Sequence, residues 1–209
     1  MIPEQSMVVL TGVADSADAG AGNPGHSRRV ATYVTSLLNA LGTAADEANT
    51  IITAARLHDI GKLGLSEKIL TKPGSLNDEE WSIIRSHSQR GADYLANTPE
   101  LQAVGDLILH HHERFDGAGY PTRLRGQAIP FGSRVIAVAD SFDAMIHDRP
   151  YRKGMYIARA MAILSQEAGS QWDREIVAAF LSDALPMLVR HGQLVVTPQQ
   201  AANAGSISA

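Results

Sequence analysis

An all-α fold is predicted from three observations. Apolar residues recur at three- and four-residue steps along most of the chain, alternation at every second residue is nearly absent, and Gly and Pro punctuate the spaces between periodic segments. In order, residues 1–25 are rich in Gly, Ala, Asp and Asn and read as a flexible or irregular lead-in. From about Ser27, Val30, Val34, Leu37, Leu38 and Leu41 form one helical stripe ended by Gly42. A second helix runs from about Ala44 to Ile60, with Ile51, Ile52, Ala55 and Leu57 apolar and Gly61 as its stop. Lys62 to Leu76 reads as a loop with one apolar turn at Ile69-Leu70 and a break at Pro73-Gly74. Asn77 and Glu80 have capping-box spacing and open a helix towards His87.

Leu101, Val104, Ile108 and His111 share a face of the next helix. Phe115 to Phe131 holds several Gly and Pro residues and reads as a long, functional loop. Arg134 to Ile146 is helical and so apolar that it must be buried; two further helices fit about Ile157–Glu167 and Arg174–Leu181. Gln193 to Val196 allows one short strand at most, and residues 197–209 read as a frayed tail. The organisation is therefore a lead-in over 1–25, one domain over 26–196 and a tail over 197–209. With 209 residues, 44% of them hydrophobic and 19% charged, the chain has material for one packed core.

Several function classes fall away on composition. A formal net charge of −4 argues against generic binding to a nucleic-acid polymer or an anionic membrane. The absence of cysteine excludes disulfides, thiolate metal sites and thiol catalysis, and suits a reducing compartment. No apolar run approaches the roughly 18 to 20 residues of a spanning helix. Met1 to Val13 lacks the basic start and long apolar core of a signal peptide, so a cytoplasmic location is expected.

Histidine carries the chemical signal. There are eight, three of them consecutive at 110 to 112. His58-Asp59 ends an apolar helix, where a carboxylate beside an imidazole needs a cation or dense hydrogen bonding. His111-His112 ends another helix in the same way; adjacent residues diverge by about 100° within a helix, but at its end such a pair can reach two neighbouring ions. His26 precedes a helix, His87 closes one, and Asp140 lies inside the apolar run Val135 to Asp140, where an unpartnered carboxylate is rare. Asp143 shares the face of Asp140, as a group behind the ligands or a surface residue. The donors His26, His58, Asp59, His87, His111, His112 and Asp140 are too many for one tetrahedral zinc and suit two carboxylate-bridged ions. This imidazole and carboxylate set suits Fe, Mn, Zn or Ni, without choosing among them.

His58-Asp59-Ile60-Gly61-Lys62, followed by His111-His112-Glu113 and the run Asp116-Gly117-Ala118-Gly119-Tyr120-Pro121, resembles the HD-GYP family of metal-dependent phosphodiesterases. The likeness continues through Ile129-Pro130, Ala139-Asp140, Asp143-Ala144 and Arg149-Pro150-Tyr151-Arg152, and covers roughly residues 26 to 182. It implies a helical bundle of the HD-domain type with a metal centre between helices, acting on the bacterial second messenger cyclic di-GMP. The seven donors match the family's metal ligands, Asp59 its bridging carboxylate, and Lys62 the lysine that meets the scissile phosphate. Three-metal members have a glutamate four residues before the first ligand histidine; Gly22 stands there, so two divalent ions are expected, with Fe or Mn favoured and Zn or Ni open. The family's longer helix ahead of the first ligand is expected to be short or missing.

The chemistry follows from the charges. Two cations make hydroxide available at neutral pH, which attacks the phosphodiester, and they neutralise the phosphate oxygens. Lys62 adds a point charge. Tyr120 either stacks on a base, bonds a phosphate or anchors its own loop. Arg149 and Arg152 offer planar forks to phosphate or guanine, a role the resemblance supports. The general acid is left among His110, Glu113, Asp143 and water. The expected reaction opens cyclic di-GMP to pGpG, with GMP as a further product left open. Alternatives are a phosphohydrolase for another cyclic dinucleotide, or a module that senses the messenger. A diguanylate cyclase docking on the Gly-Tyr-Pro loop is compatible with catalysis.

Overall fold

The computed structural model describes residues 4–149 and 152–194, with side chains from residue 7 onwards. Its helices are α1 (Glu4–Gly20), α2 (His26–Ala40), α3 (Ala45–Leu57), α4 (Glu67–Leu70), α5 (Asp78–Arg85), α6 (His87–Leu95), α7 (Gln102–Leu109), α8 (Phe131–Ile146), α9 (Ile157–Gln166), α10 (Arg174–Ala179) and α11 (Leu185–Arg190). Among the described residues there is no strand; extended pairing is confined to isolated bridges at Arg149–Arg152 and Ala168–Trp172. The all-α expectation holds. The tail over 197–209, and Val195-Val196 of the strand considered above, lie outside the described residues. No described helix is long and apolar enough to cross a membrane.

Helix α2 runs through the centre, against α1, α3, α8 and α11. Its stripe Val30, Val34, Leu37 and Leu38 is almost wholly buried. Burying such side chains contributes roughly 1.5 to 3 kcal/mol each, so this stripe fixes the rotation of α2 and the position of His26 at its first turn. From α8, Val135, Ile136, Val138, Ala139 and Phe142 complete the core, and the Phe142 ring meets Tyr33 at 5.6 Å and Phe180 at 5.0 Å in edge-to-face contacts. The Asn77–Glu80 capping box forms, and α5 starts where it directs.

His87 begins a helix instead of closing one, and two expectations near the chain ends are also corrected. The lead-in is not irregular as a whole: residues 4–20 form α1, so a helix does precede the first candidate ligand. Ala14 and Ala17 are buried on it, with Leu10 and Val13 packed beside them, and α1 lies against α2 and α3. The fully buried positions of its inner face, Ala14 and Ala17, are small residues that allow close approach, and among the surrounding Gly, Ala and Asp they read as loop composition. The last helix does not stop near Leu181. The chain passes through a π turn at Phe180–Ala184 into α11. Pro186 has no N–H to donate, and a wider turn just ahead of it accommodates the proline without ending the helix.

Candidate metal centre

Each candidate ligand stands where a helix end or a buried helix face aims it inward. His26 opens α2, His58 caps the end of α3, Asp59 leads into the tight turn Ile60–Lys62, and His87 opens α6. His111 and His112 follow α7, and Asp140 projects from the third turn of α8. Gly61 sets how closely these ends meet: a Cβ there would lie 1.9 Å from the His87 carbonyl oxygen and 2.5 Å from the Gly91 nitrogen. Only glycine lets that turn rest on α6.

All seven predicted donors converge. Their ligand atoms form three overlapping groups, each within 4.8 Å: His87, His111 and His112; His26, His58 and Asp140; and His58, Asp59 and His111. Asp59 lies between the first two groups. Its Oδ1 is 3.3 Å from His87 Nε2, whereas its Oδ2 is 3.6 Å from His58 Nε2 and 3.8 Å from His26 Nε2. Asp140 Oδ1 is 3.0 Å from His26 Nε2 and 3.8 Å from His58 Nε2.

The backbone fixes the tautomers. His58, His87 and His111 donate from Nδ1 to the carbonyls of Ala55, Ile84 and Ile108 at 2.9, 2.7 and 2.6 Å. A carbonyl only accepts, so Nδ1 carries the proton and each neutral ring presents a bare Nε2 lone pair. These lone pairs face one another: His87 Nε2 stands 3.4 Å from His111 Nε2 and 3.2 Å from His112 Nε2. His58 Nε2 is buried without a hydrogen-bond partner. Burial disfavours protonation of three of the rings, pushing His87 down to about 4, His112 to about 3 and His111 well below the usual imidazole range. Buried acceptor atoms in mutual contact are repulsive unless a cation lies among them. The donor set therefore fits divalent metal ions.

The acids are arranged to stay ionised. Burial alone would raise Asp59, but Lys62 and the surrounding imidazoles outweigh it and hold its carboxyl well below the usual range; Asp140 is held down likewise, chiefly by His26. His26 is opposed by burial yet lifted to about 9 by Asp140 and Asp143. Lys62 Nζ makes a close ion pair with Asp59 Oδ2, one turn away.

Behind the donors lies a residue whose role the sequence left open. Asp143 is fully buried and accepts from His26 Nδ1 at 2.7 Å, from Arg29 Nε at 2.8 Å and from Arg29 Nη2 at 3.0 Å, with His147 Nδ1 at 3.0 Å. It orients the His26 ring as carboxylates behind metal-binding histidines do. Sequence reasoning missed Arg29 and also Asp18, a buried carboxylate on α1 that accepts from Ser27 N at 2.8 Å and Ser27 Oγ at 2.9 Å and so ties α1 to the first turn of α2. An Asp143→Asn variant is expected to weaken metal retention by about 10- to 100-fold, read from metal content during chelator titration. Retention equal to the parent would remove Asp143 from this role.

The substrate-side residues divide. The Tyr120 ring lies on His112, centroids 4.9 Å apart and planes 30° from parallel, so the loop does reach the centre. Glu113 fastens that loop by accepting from Thr122 N and Thr122 Oγ at 2.7 and 2.8 Å, and a Cβ on Gly119 would strike the Arg114 nitrogen at 2.3 Å. His110 turns aside to the Asp106 carbonyl at 2.9 Å, in keeping with a packing role. Arg149 and Arg152 are joined by their backbones at 2.7 and 3.0 Å, and the Arg152 guanidinium donates to the Ala144 carbonyl. Among the described residues neither arginine pairs with the seven donors; Pro150 and Tyr151 between them lie outside the described residues.

A family model described as the HD domain matches residues 17–176, and the chain belongs to that family. A cyclic di-GMP phosphodiesterase of Vibrio cholerae is 36% identical over 193 residues, 85% of this chain and 39% of that protein. A 3'3'-cGAMP-specific phosphodiesterase of the same organism is 38% identical over 164 residues, 78% of this chain and 35% of that protein. The chain thus spans less than half the length of these relatives. A solved cyclic GMP-AMP-specific phosphodiesterase from V. cholerae superposes with a TM-score of 0.65 at 19% identity, covering 97% of this chain and 51% of the other, which supports the fold.

Proposed function

We propose that this HD-domain chain is the catalytic part of a phosphodiesterase that opens cyclic di-GMP to pGpG, using two divalent ions, with Fe or Mn favoured. The observation that carries the reading is Asp59, whose two oxygens face two different groups of bare histidine nitrogens. That is the disposition of a carboxylate bridging two cations. His26, His58 and Asp140 would hold one ion, and His87, His111 and His112 the other. Ions held there would bring the ionisation of water towards neutral pH and offset phosphate charge.

The chain's own residues do the rest. Asp143 holds the His26 ring, and three backbone carbonyls hold the rings of His58, His87 and His111. Lys62 rests on Asp59 and would offer its ammonium to a phosphate entering beside that carboxylate. Tyr120 covers His112 and shields one side of the centre from water. Arg149 and Arg152 belong to the reading as contacts to the outer part of the nucleotide, and the exposed Ala118, Pro121 and Thr122 as the edge that a diguanylate cyclase would meet. A cytoplasmic location belongs to the same reading.

Because relatives act on either cyclic di-GMP or 3'3'-cGAMP, both belong in the test. Metal-loaded protein incubated with these two dinucleotides, pGpG and mononucleotides is expected to linearise a cyclic dinucleotide fastest, with cyclic di-GMP preferred. Chromatography of the products separates pGpG from GMP. Preference for a mononucleotide would overturn the reading.

A further inference from the structure

Beside the centre, one cation has no role in anything described above. Arg85, the last residue of α5, is exposed, and among the described residues it makes no ion pair or side-chain hydrogen bond. Two aromatic rings hold its guanidinium instead. Its Cζ lies 5.4 Å from the Trp81 ring centroid and 5.5 Å from that of Tyr120. Tyr120 in turn stacks on the candidate ligand His112. The order His112, Tyr120, Arg85, Trp81 is a continuous stack from the metal centre to the surface, where Trp81 is 44% exposed.

Such a stack satisfies the faces of a guanidinium and leaves its N–H edge for an anion. Arg29 is held by Asp143 and Arg114 by Asp116, so neither guanidinium is open in the same way. A cyclic dinucleotide carries two phosphodiesters, and only one can sit over the cations at a time. The other needs a counter-charge a short distance away, and Arg85 lies one aromatic ring beyond His112.

We propose that Arg85, clamped between Trp81 and Tyr120, binds the non-reacting phosphate of the cyclic dinucleotide and so selects substrates with two phosphates. This rests on the phosphodiesterase reading above and adds to it the residue that tells a dinucleotide from a simple diester.

The test compares cyclic di-GMP and 3'3'-cGAMP with bis(p-nitrophenyl) phosphate, a diester with one phosphate, on the metal-loaded parent, R85A and R85K. Loss of a charge-assisted contact is expected to raise the dinucleotide KM by about tenfold or more in R85A. The ratio of kcat/KM for the dinucleotide to that for the single-phosphate diester should fall with it. R85K keeps the charge and should recover part of that ratio. An equal loss on both substrates would mean that Arg85 only props Tyr120, and no change in the ratio would mean that it meets no phosphate; either result overturns the proposal. Parent protein that cleaves the chromogenic diester but neither dinucleotide would overturn the functional reading and this inference together. A parent active on dinucleotides with an unaltered R85A overturns this inference alone.

Discussion

Asp59→Asn is expected to lower phosphodiester turnover by about three orders of magnitude, on the scale of losing a principal electrostatic group in an active site. The substitution keeps size and shape but replaces one oxygen by an NH2 group, and each oxygen of Asp59 faces a different set of histidines. Whichever way the amide turns, one of the two sets meets a donor where it needs an anion, so metal content should fall as well. Stability separates this from unfolding. Asp59 is a buried charge whose neighbours outweigh its desolvation, so its removal costs the metal-free protein some stability, while Lys62, partly exposed, can turn to water. The melting temperature in chelator should therefore fall modestly, with the variant still folded at the assay temperature. In excess metal the parent should gain stability by mass action, and the variant should gain much less. Turnover within tenfold of the parent in a folded, metal-loaded variant would rule out a bridging role for Asp59.

How much of this was legible in the sequence depends on how far apart the partners lie along the chain. His58, Asp59, His111, His112 and Asp140 were legible because each is a polar residue at the end or inside of an apolar helix, as Asp140 is between Ala139 and Phe142, whereas His26 and His87 border polar segments and stood out only as members of the donor set. Helix α2 was legible because large aliphatic residues mark its stripe. Helix α1 was not, because Ala14 and Ala17 make close contact without the bulk that makes a stripe visible. Asp143 shared a face with Asp140, but its role depends on His26 and Arg29, more than a hundred residues away, and spacing alone does not encode that contact. In the sequence nothing distinguishes Arg85 from any charge at a helix end. Its significance comes from Tyr120, delivered by a loop whose own course is set by Glu113 and Gly119.

Gly61→Ala is expected to be the most damaging single-methyl change in the chain. The added Cβ would fall 1.9 Å from the His87 carbonyl oxygen and 2.5 Å from the Gly91 nitrogen. Both are backbone atoms of α6, so no side-chain rotation relieves the clash; the helix must move away from the turn Ile60–Lys62. Overpacking that shifts backbone costs about 3 kcal/mol or more. At roughly 2 to 4 °C per kcal/mol for a chain of this size, the melting temperature in chelator should drop by about 6 to 12 °C. The displacement also acts on the centre, since α6 begins with His87 and the turn, which starts directly after Asp59, carries Lys62. Metal content should fall even where the variant is fully folded. Gly91→Ala provides the internal scale: its Cβ would meet the Ile108 Cγ2 methyl at 3.0 Å, a side-chain atom that can yield, so its cost should be about 1 kcal/mol. Equal melting temperatures for the two variants, with metal content unchanged, would show that the close approach of the turn to α6 does not set the spacing of the centre.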